Sequence, residues 1–216
     1  MSRERILADI RRALRRREAL DPNVVRSLSA RDAAVTPHVL PAYDEDLVAR
    51  LVRKHEALHG SAVRVANAGG IVNAVIEYLR AHDLPERFVS AALAPLTELP
   101  WGDGVACEFR PARGDDRLAV SVADAAIAET GTLVLVSAPG APMSHNYLPE
   151  HHVVVVESAR VVKWQEDVWP LLRQRPDFPP RGIAMISGPS KTADVEQTIE
   201  YGAHGPRNVH LVVVES

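Results

Sequence analysis

The sequence predicts an α/β fold, a mostly parallel β-sheet covered by helices. Three observations lead there. Short runs rich in branched residues have the length and composition of strands: Ala62–Ala66, Arg87–Ala91, Leu118–Val122, Leu133–Ser137, His152–Glu157, Ile183–Ile186 and Val209–Val214. Some are apolar almost throughout, His152–Glu157 with four consecutive valines, as strands buried on both faces are. Segments of helical spacing stand between them, and strand–helix–strand alternation implies parallel pairing.

The first element, Ser2–Arg17, reads as an amphipathic helix. Ile6, Ile10 and Leu14 share one face, with Leu7 beside them. Seven arginines against Glu4 and Asp9 leave this segment at 7 − 2 = +5. Such a helix can dock on its own domain or a twin subunit, meet an acidic partner protein, or lie on nucleic acid or a membrane surface. Asp21–Pro41 contains Pro22, Pro37 and Pro41 and reads as a linker. The expected division is therefore a basic N-terminal helix and linker over 1–41 and an α/β domain over 42–216.

That domain should open with a helix capped by Asp44, carrying Leu47, Leu51 and Leu58 on one face and stopped by Gly60. The strand Ala62–Ala66 and a turn at Gly69-Gly70 lead to a helix over Ile71–His82, with Ile71, Val75, Ile76 and Leu79 inward. Ala92–Gly114, with three prolines and Trp101, reads as a long irregular connection. Ala123–Ala128 is built of small, helix-permissive residues, and Val161–Gln174 has helical spacing. Near the end, Ile183–Ile186, a short helix over Asp194–Tyr201 ended by Gly202, and Val209–Val214 read as a βαβ unit with parallel strands.

Composition bounds the function. With 216 residues, 46% hydrophobic, the chain can bury a full core without staples. A net charge of −3 gives no global drive toward nucleic acid or membrane. The single cysteine, Cys107, excludes an intrachain disulfide and leaves too few thiolates for a cysteine-ligated cluster or zinc site on this chain alone. A reducing cytoplasm fits that usage. The charged N-terminus does not read as a signal peptide, and no apolar run approaches the ~20 residues of a membrane helix.

Several familiar motifs are missing. Ser187–Thr192 ends in Lys-Thr like a phosphate-binding loop, but Ser190 stands where that loop needs glycine. No G-x-G-x-x-G or G-x-S-x-G occurs. His151 and His152 are strand neighbours that point to opposite faces, so one site can use at most one of them. Three polar clusters remain. Ser187, Gly188, Ser190, Thr192 and Asp194 follow a strand and precede a helix, where they can cap the helix or hold a phosphate or carboxylate. Glu129-Thr130-Gly131-Thr132 can be a plain turn; a partly buried Glu129 can also serve as base or nucleophile. His204-Gly205-Pro206-Arg207 can be a loop or an anion clamp, Arg207 supplying a fork and His204 a switchable proton.

Taken in order, Ala128-Glu129-Thr130-Gly131-Thr132, then Leu148-Pro149 before a valine strand, then Ser187-Gly188-Pro189-Ser190-Lys191-Thr192-Ala193-Asp194-Val195-Glu196, then Gly202-Ala203-His204-Gly205-Pro206-Arg207 resemble the LUD domain of the lactate utilization protein C family. The resemblance runs from about Glu45 to the C-terminus, and the basic leader is similar too. It implies a Rossmann-like three-layer α/β sandwich, similar to the NagB/RpiA/CoA-transferase-like fold, behind an N-terminal helical arm. It implies a part in oxidising L-lactate to pyruvate beside iron–sulfur partner proteins, with the clusters on those partners and no cofactor on this chain. Where the resemblance leads one to expect an arginine, within Ala138–Tyr147, this chain has His145, to which an anion-binding role would pass.

Two functions from different classes follow. In one, the chain is a non-catalytic subunit that binds a small anionic metabolite and docks on its partners through the basic helix. In the other, it is a small-molecule enzyme with Glu129 as base or nucleophile and Ser190, Thr192 and Arg207 holding the anion. A homo-oligomer is compatible with either. The expected pocket joins Ser190, Thr192 and Asp194 to Thr130, Gly131 and Thr132, with His204 and Arg207 bracing another edge.

Overall fold

The computed structural model describes residues 2–14, 21–33, 39–102, 104–192 and 200–215. The chain forms two compact units, residues 1–42 and 43–216.

The first unit holds helices α1 (Arg3–Ala13) and α2 (Pro22–Ala33). Ser2 caps α1 through the Arg5 N–H, and the stripe Ile6, Leu7, Ile10 and Leu14 is exposed. Arg15, Arg16 and Arg17 lie outside the described residues. The expected linker is corrected by α2: Pro22 sits at the first helical position, where its missing N–H costs nothing, so it starts a helix instead of breaking one.

The second unit runs α3 (Leu47–Ala57), β1 (Ser61–Val65), α4 (Gly69–Ala81), β2 (Arg87–Ser90), β3 (Ala106–Glu108), β4 (Leu118–Val122), β5 (Ala125–Ile127), β6 (Thr132–Val136), β7 (His151–Glu157), β8 (Val161–Val162), α5 (Val168–Arg173), β9 (Ile183–Ile186), β10 (Lys191–Thr192), β11 (Glu200–Tyr201) and β12 (Asn208–Val214). Six strands form a wholly parallel sheet in the order β1-β12-β7-β4-β2-β3. A second, mixed sheet has the order β8-β5-β6-β9.

The layers follow from side-chain alternation along the central strands. Val153, Val155, Val212 and Val214 face α4 and pack on Ile71, Val75 and Leu79. Val154, Val156, Leu211 and Val213 face the opposite layer, shared by α3 (Val48, Leu51) and the small sheet (Ala126, Leu133, Leu135). Beyond that sheet, Val168 and Leu172 of α5 cover Ile127, Val134 and Val136. Each fully buried branched side chain contributes about 1.5–3 kcal/mol. The mixed α/β fold with a parallel six-stranded sheet and flanking helices agrees with the predicted class.

Several local expectations are corrected. Asp46, not Asp44, caps α3, its carboxylate accepting the Ala49 N–H at 2.7 Å. The helix ends in a Schellman motif, Gly60 N–H to His55 O at 3.1 Å and His59 N–H to Glu56 O at 2.9 Å, with His59 at φ 68°. Gly69 and Gly70 open α4 instead of forming a turn: a Cβ on Gly70 would stand 2.8 Å from Val65 Cβ, so glycine permits the close approach to β1. Within 92–114, a 3₁₀ turn at Leu96–Glu98 and the edge strand β3 give the connection structure. Ala123–Ala128 contributes a strand, because β6 supplies the pairing that a helix would forgo. Only Val168–Arg173 of the expected third helix is α-helical. Pro170 has no N–H to continue an α-helix from upstream, and fits its first turn.

The expected βαβ unit is also overturned. β9 pairs antiparallel with β6 in the small sheet, while β12 lies in the large one. β10 and β11 pair antiparallel, so Glu200–Tyr201, the expected end of the short helix, is strand. Residues 193–199, including Asp194, lie outside the described residues.

Candidate functional site

The pairing of β10 with β11 explains how two motifs distant in sequence meet. With Lys191 paired to Tyr201, Ser190 and Gly202 become neighbours. Gly202 N–H donates to Ser190 O at 3.0 Å, Ser190 N–H to Pro206 O at 2.9 Å, and His204 N–H to Ser190 Oγ at 3.3 Å. Ser190 therefore braces the His204–Arg207 loop. Thr192 sits in β10 opposite Glu200.

At the other end of the same segment, Ser187 meets the Glu129–Thr132 turn. Three hydroxyls form a chain, Thr130 Oγ1 to Thr132 Oγ1 at 2.7 Å and Thr132 Oγ1 to Ser187 Oγ at 2.6 Å. The contact extends the β6–β9 register, in which Leu133 faces Ile186. The expected meeting of the two motifs thus occurs, but through Ser187 rather than Ser190 or Thr192. Two glycines set its backbone. Gly131, at φ 74°, rests on the end of α3; a Cβ there would lie 2.7 Å from His55 N. Gly188, at φ 84°, would place one 2.8 Å from Leu58 O.

Behind the turn stands His55, wholly buried, its Nδ1 3.3 Å from Gly131 O. Burial lowers its pKa, so the ring is neutral. Glu129 is half-buried on the turn, its N–H donating to Lys163 O at 3.2 Å. Its charge, with burial as the larger cause, helps raise the Tyr43 phenol.

The parallel register builds a second feature at the amino edge of the large sheet. Leu118 pairs with His151, and His151 with Asn208. The residues just before them, Arg117, Glu150 and Arg207, therefore stand in one row across three strands. Glu150 is in the middle, 2.9 Å from Arg117 and 3.9 Å from Arg207. Two exposed guanidinium groups thus share one carboxylate. This row borders an open cleft of about 760 Å³, walled by Tyr147-Leu148-Pro149-Glu150 on one side and Tyr201–Gly205 with Arg207 on the other. His204 and Arg207 are exposed there. Glu129 and the hydroxyl chain do not line it.

Beneath the cleft lies a ring cluster. Tyr78 stacks on His82 at 4.1 Å, tilts on His210 at 4.7 Å, and hydrogen-bonds His151 Nδ1 at 3.0 Å. Ser61 Oγ reaches His210 Nδ1 at 2.8 Å. Burial lowers His151 and His210 to about 4 and raises Tyr78, so these three are uncharged at neutral pH. His152, on the opposite face, is lowered to about 3 by burial and lies 3.0 Å from Ser121 Oγ. His145 is no anion ligand: it is 1% exposed, pairs with Arg110 O at 2.8 Å, and is kept neutral by burial. Among the described residues, no group of three His, Cys, Asp or Glu side chains could hold a metal, and no helix is long and apolar enough to cross a membrane.

Sequence reasoning missed Arg117, Tyr147, Glu150 and His55. Arg117 and Glu150 could be found only from the register of β4 and β7. Tyr147 and Glu150 flank the Leu148-Pro149 pair that was singled out.

Fold and site define an α/β-sandwich protein with a polar cleft at the amino edge of a parallel sheet. Comparison with known proteins narrows this. The LUD domain profile matches residues 113–214. Lactate utilization protein C of an Exiguobacterium species is 34% identical over 45% of this chain and 44% of its own length. The protein of that name from Bacillus licheniformis is 26% identical over 82% of this chain and 75% of its own. An uncharacterized protein of Neisseria meningitidis is 34% identical over 44% of this chain and 40% of its own. The chain thus matches less than half the length of some of these relatives. A crystal structure of a DUF162 family protein from Deinococcus radiodurans shares the fold, with a TM-score of 0.60 at 17% identity, covering 81% of this chain and 99% of that one. Residues 113–214 thus match the LUD domain family, and the chain is similar to relatives that carry the name lactate utilization protein C.

Proposed function

We propose that this chain serves L-lactate utilization, the oxidation of L-lactate to pyruvate with iron–sulfur partner proteins, as a subunit that binds an anionic metabolite at the amino-edge cleft. The observation that supports the ligand site is the row Arg117–Glu150–Arg207. Two guanidinium groups compete for one carboxylate, and His204 stands beside them, which leaves donors for an incoming anion. The names carried by the relatives support the pathway. The basic α1, with no buried residue, is the surface assigned to the partners. The chain works in the cytoplasm and brings no cofactor of its own.

The test is a binding screen of the purified chain against lactate, pyruvate, phosphate and phosphate esters, with Arg207→Ala as control. Binding stabilises the native state by an amount set by ligand concentration over affinity. Identical thermal shifts in both proteins would remove the site. For the partners, replacing Arg11, Arg12, Arg15 and Arg16 by Ala should weaken co-purification with the iron–sulfur proteins; undiminished recovery would discard that surface.

A second reading rests on the Thr130–Thr132–Ser187 hydroxyl chain beside half-buried Glu129. It makes the chain an enzyme with Glu129 as base or nucleophile. Glu129→Gln should then abolish turnover while keeping substrate binding; full activity in that variant would reject the role.

A further inference from the structure

The cleft is larger and more aromatic than a three-carbon acid requires. Lactate or pyruvate, with six heavy atoms, would engage the arginine row and leave most of its about 760 Å³ to water. Ligand pockets of some 300–1,000 Å³ hold molecules of drug size. The remaining wall has a defined chemistry. Tyr147 is 49% exposed and Leu148 51% exposed, side by side on the rim. About half of the Tyr147 side chain is thus exposed on the cleft. Tyr201, on the opposite wall, is fixed: His59 meets it edge-on at 6.3 Å and Lys191 Nζ lies 5.5 Å from its centroid. The cleft thus offers cations in its lining, one exposed aromatic platform, and one braced aromatic wall.

We infer that this cleft takes an anion joined to a planar ring, of the nucleoside-phosphate class, with the phosphate at Arg117 and Arg207 and the base on Tyr147 and Leu148. A planar base stacks on an aromatic side chain without needing specific hydrogen bonds, and such stacking is worth about 1–3 kcal/mol per base. Phosphate takes forked guanidinium donors readily. Both requirements are met by residues from one cleft, brought together by the register of three strands. The inference rests on the anion-site reading above and adds the ring.

The experiment titrates the full chain by calorimetry with AMP, ribose 5-phosphate, adenosine, inorganic phosphate, lactate and pyruvate, then repeats it with Tyr147→Ala and Arg207→Ala. Both positions are exposed, and circular dichroism checks that the variants fold. AMP should bind at least tenfold more tightly than ribose 5-phosphate or adenosine. Tyr147→Ala should erase the advantage over ribose 5-phosphate while leaving ribose 5-phosphate itself unchanged, and Arg207→Ala should weaken AMP, ribose 5-phosphate and inorganic phosphate. Equal affinity for AMP and ribose 5-phosphate, or an unaltered AMP titration in Tyr147→Ala, overturns the ring while leaving the anion site standing. No binding of any phosphate compound, lactate or pyruvate overturns both.

Discussion

Replacing Gly131 by Ala tests how the site is held. The residue is at φ 74°, a conformation that costs a non-glycine residue about 1–2 kcal/mol. The added Cβ would also stand 2.7 Å from His55 N, 2.8 Å from Lys54 C and 2.9 Å from Lys54 Cβ. Two of these atoms are helix backbone and cannot rotate away. Either the turn or the end of α3 must shift, a strain comparable to overpacking, about 1–3 kcal/mol. The sum is a loss of roughly 2–4 kcal/mol, since the two costs partly relax together. Urea unfolding followed by circular dichroism would read it as a lower midpoint at unchanged slope. Gly102→Ala is the control: a Cβ there meets nothing within 4 Å, so its effect should stay within about 0.5 kcal/mol. If Gly131→Ala lost no more than Gly102→Ala, the account of the turn as braced on α3 and His55 would be wrong.

Other expectations follow from the same geometry. Asp46→Ala removes the carboxylate that accepts the Ala49 N–H and should cost about 1 kcal/mol in the same unfolding assay. Leu51→Ala, wholly buried between α3 and the large sheet, should cost about 2–5 kcal/mol. Stability should also fall with acid in a defined window. His151 and His210 titrate near 4 in the fold but near 6.5 when unfolded, so the unfolded chain takes up protons first. Their contribution is complete above about pH 7 and is lost between about 6.5 and 4, together on the order of 2–5 kcal/mol after discounting for partial exposure. Asp116, lowered by its hydrogen bond to Arg110, adds its loss only further into acid. A urea midpoint constant from pH 7 to 4.5 would contradict the buried, neutral ring cluster.

Which features were legible in the sequence follows from how local their causes are. β7 and β12 declare themselves because burial on both faces demands unbroken runs of valine. The helix α4 is legible from Ile71, Val75 and Leu79, which face the sheet at helical spacing. β5 is not, because Ala125–Ile127 is strand only through its partners β6 and β8. The destination of β9 was misjudged for the same reason: Ile183–Ile186 reads as a buried strand wherever it pairs. The glycine-containing turn at Glu129–Thr132 and its link to the Ser187 segment were legible as motifs, but the joining residue was not. The row Arg117, Glu150, Arg207 was invisible, because only the register of three non-consecutive strands creates it. Asp194 lies outside the described residues.

The central claim is that the amino-edge cleft, through Arg117 and Arg207, holds the ligand. Thermal shift with an anion panel, run on the wild-type chain and on the double variant Arg117→Ala/Arg207→Ala, tests it most directly. A rise in melting temperature for at least one anion in the wild type, lost in the double variant at equal ionic strength, is the predicted result. An equal rise in both proteins would place the ligand elsewhere and contradict the claim.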